Sequence, residues 1–319
     1  METSAAVPKP VKGTRKKMTR MEKHNLRVGM LFISPWLIGF LIFNLYPMIA
    51  SLIYSFTDFQ GILVSQQVWY ANYAAMLRDD RFWFAVKNTL FMVIIAVPLN
   101  LLFSLICAIL LNLKVKGQSF YRVIFFLPSI VPAIAATMLW IWILKPDNGL
   151  LSTVLGWFGV QSPNWFLDPL WSKPALILMG IWGIGGTIII YLSGLQDVSQ
   201  TLLESAELDG ANWWNRLRNI TIPMVSPITL FNLITGVIFM FQYFSQAYVF
   251  ARFASVGKAD LIVGRPMDST LFYSVFLYDK FTGFRYGYAS AMAWVLFIVI
   301  LLCTIALLKA SDRFTYYAG

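Results

Sequence analysis

What this chain lacks, over long stretches, is charge. Six segments, roughly 31–55, 88–112, 123–144, 174–194, 226–250 and 288–308, hold essentially no Asp, Glu, Lys, Arg or His. A charge at mid-membrane costs at least ~2.5–3.5 kcal/mol, so carriers keep one only for a task such as proton relay. Its absence argues against a proton-driven carrier and against a charged ion site within the bilayer. Cysteine is nearly missing: Cys107 and Cys303 each sit inside an apolar segment, which excludes a disulfide framework and leaves them as small apolar fillers. The single histidine, His24, cannot build a multi-histidine metal site. There is no phosphate-cradling GxxxxGK[ST]: Gly257-Lys258 is followed by Ala259, and Arg252 stands where the first glycine belongs, so the chain itself does not hydrolyse ATP. A soluble basic domain that could hold nucleic acid is also missing. An integral membrane enzyme would need a His, Cys or acidic cluster near the interface, and the only acidic cluster lies in one polar loop, 204–223.

What is present is apolar length. Hydrophobic residues make up 58% of the 319 and charged residues 13%, whereas a soluble chain carries roughly a quarter charged. Each charge-free segment has about 20 to 25 residues, enough for a helix to cross a ~30 Å hydrocarbon core. Helix is required there because lipid offers a free backbone N–H or C=O no partner. The expected fold is therefore an all-α polytopic membrane protein with six transmembrane helices. The first apolar run is too long for a cleavable leader and has no small-x-small site after it.

Basic residues set the orientation. The tail 1–30 carries Lys9, Lys12, Arg15, Lys16, Lys17, Arg20, Lys23 and Arg27, and with both termini inside, inner segments hold 15 Lys/Arg against 10 outside. Basic residues beside the first span usually fix topology. The net charge of +10 is then mainly an orientation signal. Expected boundaries are a basic cytoplasmic tail 1–27, a membrane domain 28–310 and a cytoplasmic tail 311–319. An interfacial helix is expected at Leu150 to Phe158, between the breakers Gly149 and Pro163.

The inner loop 195–223 contains Glu204-Ser-Ala-Glu-Leu-Asp-Gly-Ala-Asn-Trp-Trp-Asn-Arg-Leu-Arg-Asn-Ile-Thr-Ile-Pro223. Leu202 to Leu208 reads as a helical turn with Glu204 and Glu207 near its start, where the helix dipole favours acids. Asp209-Gly210 reads as a break. A second helix from about Ala211 to Asn219 would put Trp213, Leu217 and Ile220 on one side, Arg216 and Arg218 elsewhere, and Pro223 would end the segment. Helix, turn, helix makes a rigid projection suited to transmitting force.

Glu204, Ala206, Asp209, Gly210, Ala211, Ile220 and Pro223 resemble the cytoplasmic loop of ABC-importer permeases, Glu-Ala-Ala, then Asp-Gly-Ala, then Ile-x-Leu-Pro. Ser205 replaces the second alanine and Ile222 the leucine. ISPWLIGFLIFNLYPMIASLIYSFTDF, Asn72-Tyr73 with RFWFAVKNTL at 81–90, GRPMDST at 264–270 and GYASAMAWVLF at 287–297 are similar to carbohydrate-type permeases, the first of the two paired subunits in particular. One departure is ARFASVGKADLIV before Gly264, where the family runs into a Thr-Gly-Gly-Gly-Pro-like turn. The resemblance implies a type I ABC importer permease fold in a bacterial or archaeal cytoplasmic membrane. It also implies alternating access and a loop docked on a separate ATPase subunit that uses ATP, with no cofactor bound by this chain. The partners it implies are a second permease, an extracytoplasmic solute-binding protein and the lipid bilayer. The expected solute is a sugar, an oligosaccharide or a polyol-like molecule; a permease for glycerol phosphate, polyamine or phosphate is the alternative, and polyamine or phosphate would favour charged residues lining the spans.

Uncharged polar residues then become the candidate solute path. Asn232, Thr235, Gln242 and Gln246 fall on one face of a continuous helix, with Phe239 on the stripe and Tyr243 beside it. Amides and rings suit sugar hydroxyls and C–H faces; bonds between helices are the equal alternative. Trp182, Gly183, Gly185, Gly186 and Thr187 form a glycine cluster that allows close packing or a break, packing being the commoner cause. In resembling permeases this region helps line the sugar site, which makes Trp182 and Thr187 candidates. Asn100 and Ser104, one turn apart, are weaker ones.

Overall fold

The computed structural model describes residues 19–61, 66–113, 115–255 and 264–311. Most of the basic tail, the stretch 256–263 with Gly257-Lys258, and residues 312–319 lie outside the described residues. Every described element is helical; one isolated antiparallel bridge joins Thr57 to Gln67.

The chain divides into two compact units, one up to Ile53 and one from Tyr54 on. In the first, Thr19 opens helix α1 (Arg20–Phe40) with a capping box. The Glu22 N–H donates to the Thr19 hydroxyl at 3.2 Å and the Thr19 N–H to the Glu22 carboxylate at 2.7 Å, which satisfies two otherwise orphaned donors. A π-helical turn at Leu41–Leu45 carries it into α2 (Tyr46–Ser55).

The second unit begins with α3 (Ala71–Leu77) and the 33-residue α4 (Asp80–Asn112). Next come α5 (Gln118–Ile130), α6 (Ala133–Ile143), α7 (Leu150–Trp157), α8 (Pro169–Trp182) and α9 (Gly185–Gln196). The polar loop forms α10 (Gln200–Leu208), α11 (Trp213–Arg216), a π-helical turn and α12 (Ile222–Met224). The unit closes with α13 (Ser226–Phe241), α14 (Ser245–Ala254), α15 (Tyr273–Thr282) and α16 (Tyr286–Ser311). α7 falls where the interfacial helix is expected. α4 is the axis of this unit, packed on α9, α13, α8 and α15.

Among the described residues four helical stretches are long and apolar enough to cross a membrane, Arg20–Ser55, Asp80–Asn112, Ser226–Ala254 and Tyr286–Ser311. The number is six if each of two bent pairs is one span. The third and fourth expected spans are those bent pairs rather than straight rods. α5 and α6 meet at 101°, because the Pro132 ring denies helical backbone to Val131, which is extended at ψ 128°. α8 and α9 meet at 48° through Gly183-Ile184. The fifth span is interrupted at Gln242–Phe244, between α13 and α14.

Close packing relies on missing side chains. A Cβ on Gly185 would lie 2.6 Å from the Phe125 carbonyl oxygen and 2.9 Å from the Phe126 Cα. A Cβ on Gly287 would lie 2.0 Å from the Thr57 carbonyl oxygen, and the Gly287 N–H donates to Phe59 O at 3.0 Å. Both contacts are with backbone, so neither yields to a rotamer change. We expect Gly287→Ala to cost about 2 kcal/mol or more, the scale of forced overpacking, read as a lowered thermal midpoint of the purified protein.

At the end of α4 that charge bias assigns to the outside, the loop before α15 is fastened down. Arg81 donates to both Asp268 carboxylate oxygens, at 3.3 and 2.9 Å. The Asn88 amide donates to the carbonyls of Asp268 at 2.7 Å and Leu271 at 3.0 Å. These bonds hold Met267 and Asp268 in left-handed backbone, at φ 45° and 56°. Tyr273 donates to the Met292 carbonyl at 2.7 Å. Burial first, and Tyr288 second, push its phenol above the ordinary range, so it stays a neutral donor.

Candidate functional site

The polar loop is a helix–turn–helix whose turn is built by Gly210. α10 ends in a Schellman motif: the Ala211 N–H donates to the Ala206 carbonyl at 2.9 Å and the Gly210 N–H to the Glu207 carbonyl at 3.0 Å. That closure needs positive φ at the residue after the cap, and Gly210 has φ +84°. Asn212 then caps α11, its side-chain oxygen accepting from the Asn215 N–H at 2.8 Å. Two short helices are thus locked to each other by four residues of turn.

The structure corrects several local expectations here. α10 starts at Gln200, so Glu204 lies in its middle and Glu207 in its last turn, where the dipole disfavours an acid. The compensation is Arg216 of α11, which pairs with the Glu207 carboxylate across the turn. The second helix starts after the Asn212 cap and passes through a π-helical turn at Leu217–Thr221, which breaks the expected stripe: Leu217 is buried and Ile220 half-buried, whereas Trp213 is exposed. Pro223 does not end the segment; it sits in α12, which leads on to α13.

The loop has two faces. Leu203 and Ile220 pack against the core formed by α4, α9 and Val225, and Ala206 and Ala211 are half-buried. The other face presents Glu204, Leu208, Asp209, Gly210, Trp213 and Trp214, all exposed, Leu208 at 90%. Glu204 and Asp209 have no ion-pair partner among the described residues. Large apolar side chains are thus held out beside carboxylates on this turn.

The second feature is a cavity of about 380 Å³ where three helix breaks converge. Val131 comes from the α5–α6 break and Gly183 from the α8–α9 break, while Gln246 follows the α13–α14 break. Trp140 and Trp182 line it with ring centroids 6.1 Å apart, edge to face. Ser129 and Thr137 add hydroxyls whose protons are committed to the carbonyls of Phe126 and Ala133, leaving their oxygens as acceptors. The Trp140 Nε1–H is buried and has no partner. No charged residue lines the cavity.

Of the expected path residues, Trp182 and Gln246 meet here. Thr187 is half-buried in α9 and does not line it. The interruption at Gln242–Phe244 separates Gln246 from Asn232 and Phe239, which stay together on α13. Asn232 is buried beside Tyr191. Phe239 and Gln242 are exposed. Tyr243 packs against Phe272, centroids 5.5 Å apart. Ser104 donates to the Asn100 carbonyl at 2.6 Å; the Asn100 amide stands behind Gly180, 3.7 Å from where a Cβ would be, with its Oδ1 unpaired. Sequence reasoning missed Trp140 and Thr137. The available signal was an indole in an apolar run, a donor that lipid cannot satisfy. The glycine cluster does both things considered: Gly183 breaks the helix and Gly185 packs. Among the described residues no His, Cys or acidic cluster could hold a metal ion.

Broken spans around an uncharged cavity, with a rigid polar loop between two of them, define a membrane transport permease. Residues 100–315 match the family of binding-protein-dependent transport system inner membrane components, and the chain belongs to it: a multi-pass inner membrane transporter subunit, not an enzyme. Similar proteins include the probable ABC transporter permease protein YesP of Bacillus subtilis, 37% identical over 95% of this chain and 96% of that protein. The arabinooligosaccharides transport system permease protein AraP of the same species is 31% identical over 89% of this chain and 88% of that protein. The lactose transport system permease protein LacF of Rhizobium radiobacter is 29% identical over 85% and 90%. The fold matches a chain of the bacterial alginate ABC transporter crystallised with an alginate pentasaccharide-bound periplasmic protein. The TM-score is 0.79 at 22% identity, covering 94% of this chain and all of that one.

Proposed function

We propose that the chain carries a neutral sugar or oligosaccharide through the cavity at the three helix breaks, driven by a separate ATPase docked on the exposed face of α10 and α11. The cavity carries the sugar reading. It is uncharged, walled by two indoles, and adjoined by an unpaired buried indole N–H, a donor whose pairing with a hydroxyl would recover the ~1–3 kcal/mol cost of leaving it unmade. Relatives that handle arabinooligosaccharides and lactose support the same class. Glu204, Asp209, Leu208 and Trp213 form the ATPase contact, with Gly210 setting the turn and Ala206, Ala211, Ile220 and Pro223 behind it. A second permease and an extracytoplasmic binding protein complete the importer; the residue 1–27 and 311–319 tails face the cytoplasm and 28–310 is the permease domain. ATP closes the ATPase dimer, the 204–223 segment moves with it, and the breaks at Pro132, Gly183 and Gln242 supply joints for alternating access. In proteoliposomes holding the full importer and its binding protein, we expect ATP-dependent accumulation of a labelled neutral oligosaccharide and none of a polyamine or phosphate. Accumulation of a charged solute instead would overturn the sugar assignment.

A further inference from the structure

A second cleft, of about 270 Å³, lies between α5 and α9 beside the glycine contact. Gly185 brings the two helices together at one end, against Phe125 and Phe126. From Gly185 the cleft runs along Phe125, Phe126, Ile189 and Leu192 to Arg122 and Gln196. The floor is fixed, since the Gln118 side-chain amide donates to the Leu111 carbonyl at 2.7 Å. Phe125 and Ile189 are 42% and 45% exposed, so the mouth is apolar. Arg122 stands at the polar end, in the second turn of α5, beside the last residue of α9.

Arg122 is the anomaly. Its Nε–H is buried and has no hydrogen-bond partner among the described residues. Among the described residues no carboxylate lies within ion-pair distance of it. A guanidinium carries five donors in a fork that matches phosphate, and burying one unmade is costly. The opening combines an acyl-compatible wall with a cation at one end. A soluble anion would satisfy the arginine and leave the apolar wall unexplained; an anionic phospholipid satisfies both.

We propose that this cleft seats an anionic phospholipid, its phosphate on the Arg122 guanidinium and its acyl chain along Phe125, Ile189 and Leu192. The site does not depend on what the permease carries. Its position gives it a consequence: Gln196, which lines the cleft, lies four residues before α10, so an occupied cleft braces the α9 end from which the polar loop projects.

Native mass spectrometry of the purified protein, with the detergent-exchanged lipid exchanged in nanodiscs of phosphatidylcholine with or without phosphatidylglycerol, tests this. The native chain is expected to retain phosphatidylglycerol over phosphatidylcholine, and Arg122→Gln to lose that preference about tenfold, the factor of one ~1.4 kcal/mol charge-assisted bond. Arg122→Lys, which keeps the charge but not the fork, is expected to fall between them and controls for folding. Equal retention by the native chain and Arg122→Gln would overturn the proposal. So would inorganic phosphate displacing the bound phosphatidylglycerol, because the ligand would then be a soluble anion. Neither readout involves solute uptake, so failure here is distinguishable from failure of the transport assignment.

Discussion

Gly210→Pro is expected to abolish ATP-driven uptake and to release the ATPase on purification, while the membrane-spanning part stays folded. The native φ is +84° and proline holds φ near −65°. The substitution also removes the Gly210 N–H that donates to the Glu207 carbonyl at 3.0 Å. The Schellman closure cannot form, at a cost of about 3 kcal/mol, and the pairing of Arg216 with Glu207 loses the turn that aligns it. Leu208 and Asp209 then no longer stand beside Trp213. Gly210→Ala is the graded control. No atom lies within 4 Å of its new Cβ, so its only penalty is left-handed backbone, ~1–2 kcal/mol, and partial coupling is expected. Glu204→Lys leaves the fold alone, since Glu204 is exposed and unpaired among the described residues, and reverses one charge of the docking face. Co-purification and ATP hydrolysis give the order native, alanine, proline. A proline variant that keeps its ATPase and its uptake would remove the docking role from this turn.

The membrane-spanning segments were legible because charge was absent from them, a signal that needs no knowledge of packing. The joints were not. Pro132 breaks a span, yet Pro98 and Pro128 sit inside continuous helices, so the residue type alone does not decide. The interruption at Gln242–Phe244 contains neither glycine nor proline. That break puts Gln246 on a separate helix and beside the cavity, whereas Asn232 and Phe239 stay seven residues apart on α13, the first buried and the second exposed. The Gly210 turn was legible because positive φ has a residue signature. The start of α10 was not, since Ser199 makes no side-chain bond to the helix backbone and announces nothing. Trp140 was hidden because an apolar count treats an indole as filler and ignores its donor.

Trp140 supplies the prediction that separates a solute contact from a structural one. Trp140→Phe keeps a ring against Trp182 and deletes a buried N–H that has no partner. An unmade buried donor costs ~1–3 kcal/mol, which offsets the smaller ring, so the purified variant is expected to unfold no earlier than the native protein. Uptake at saturating loaded binding protein is nevertheless expected to fall about tenfold if that N–H holds a sugar hydroxyl in the transported state, one bond of ~1.4 kcal/mol. Trp182→Ala goes further. It removes the platform of the cavity wall at the end of α8 and leaves the α10–α11 face, on a different part of the chain, untouched. The expected result is an importer that still retains its ATPase and moves little sugar, the converse of Gly210→Pro. Fluorescence-detected thermal unfolding and proteoliposome uptake, measured on the same preparations, decide it. Should Trp140→Phe lose stability and keep full uptake, the indole is there for packing, and the sugar path lies elsewhere among the spans.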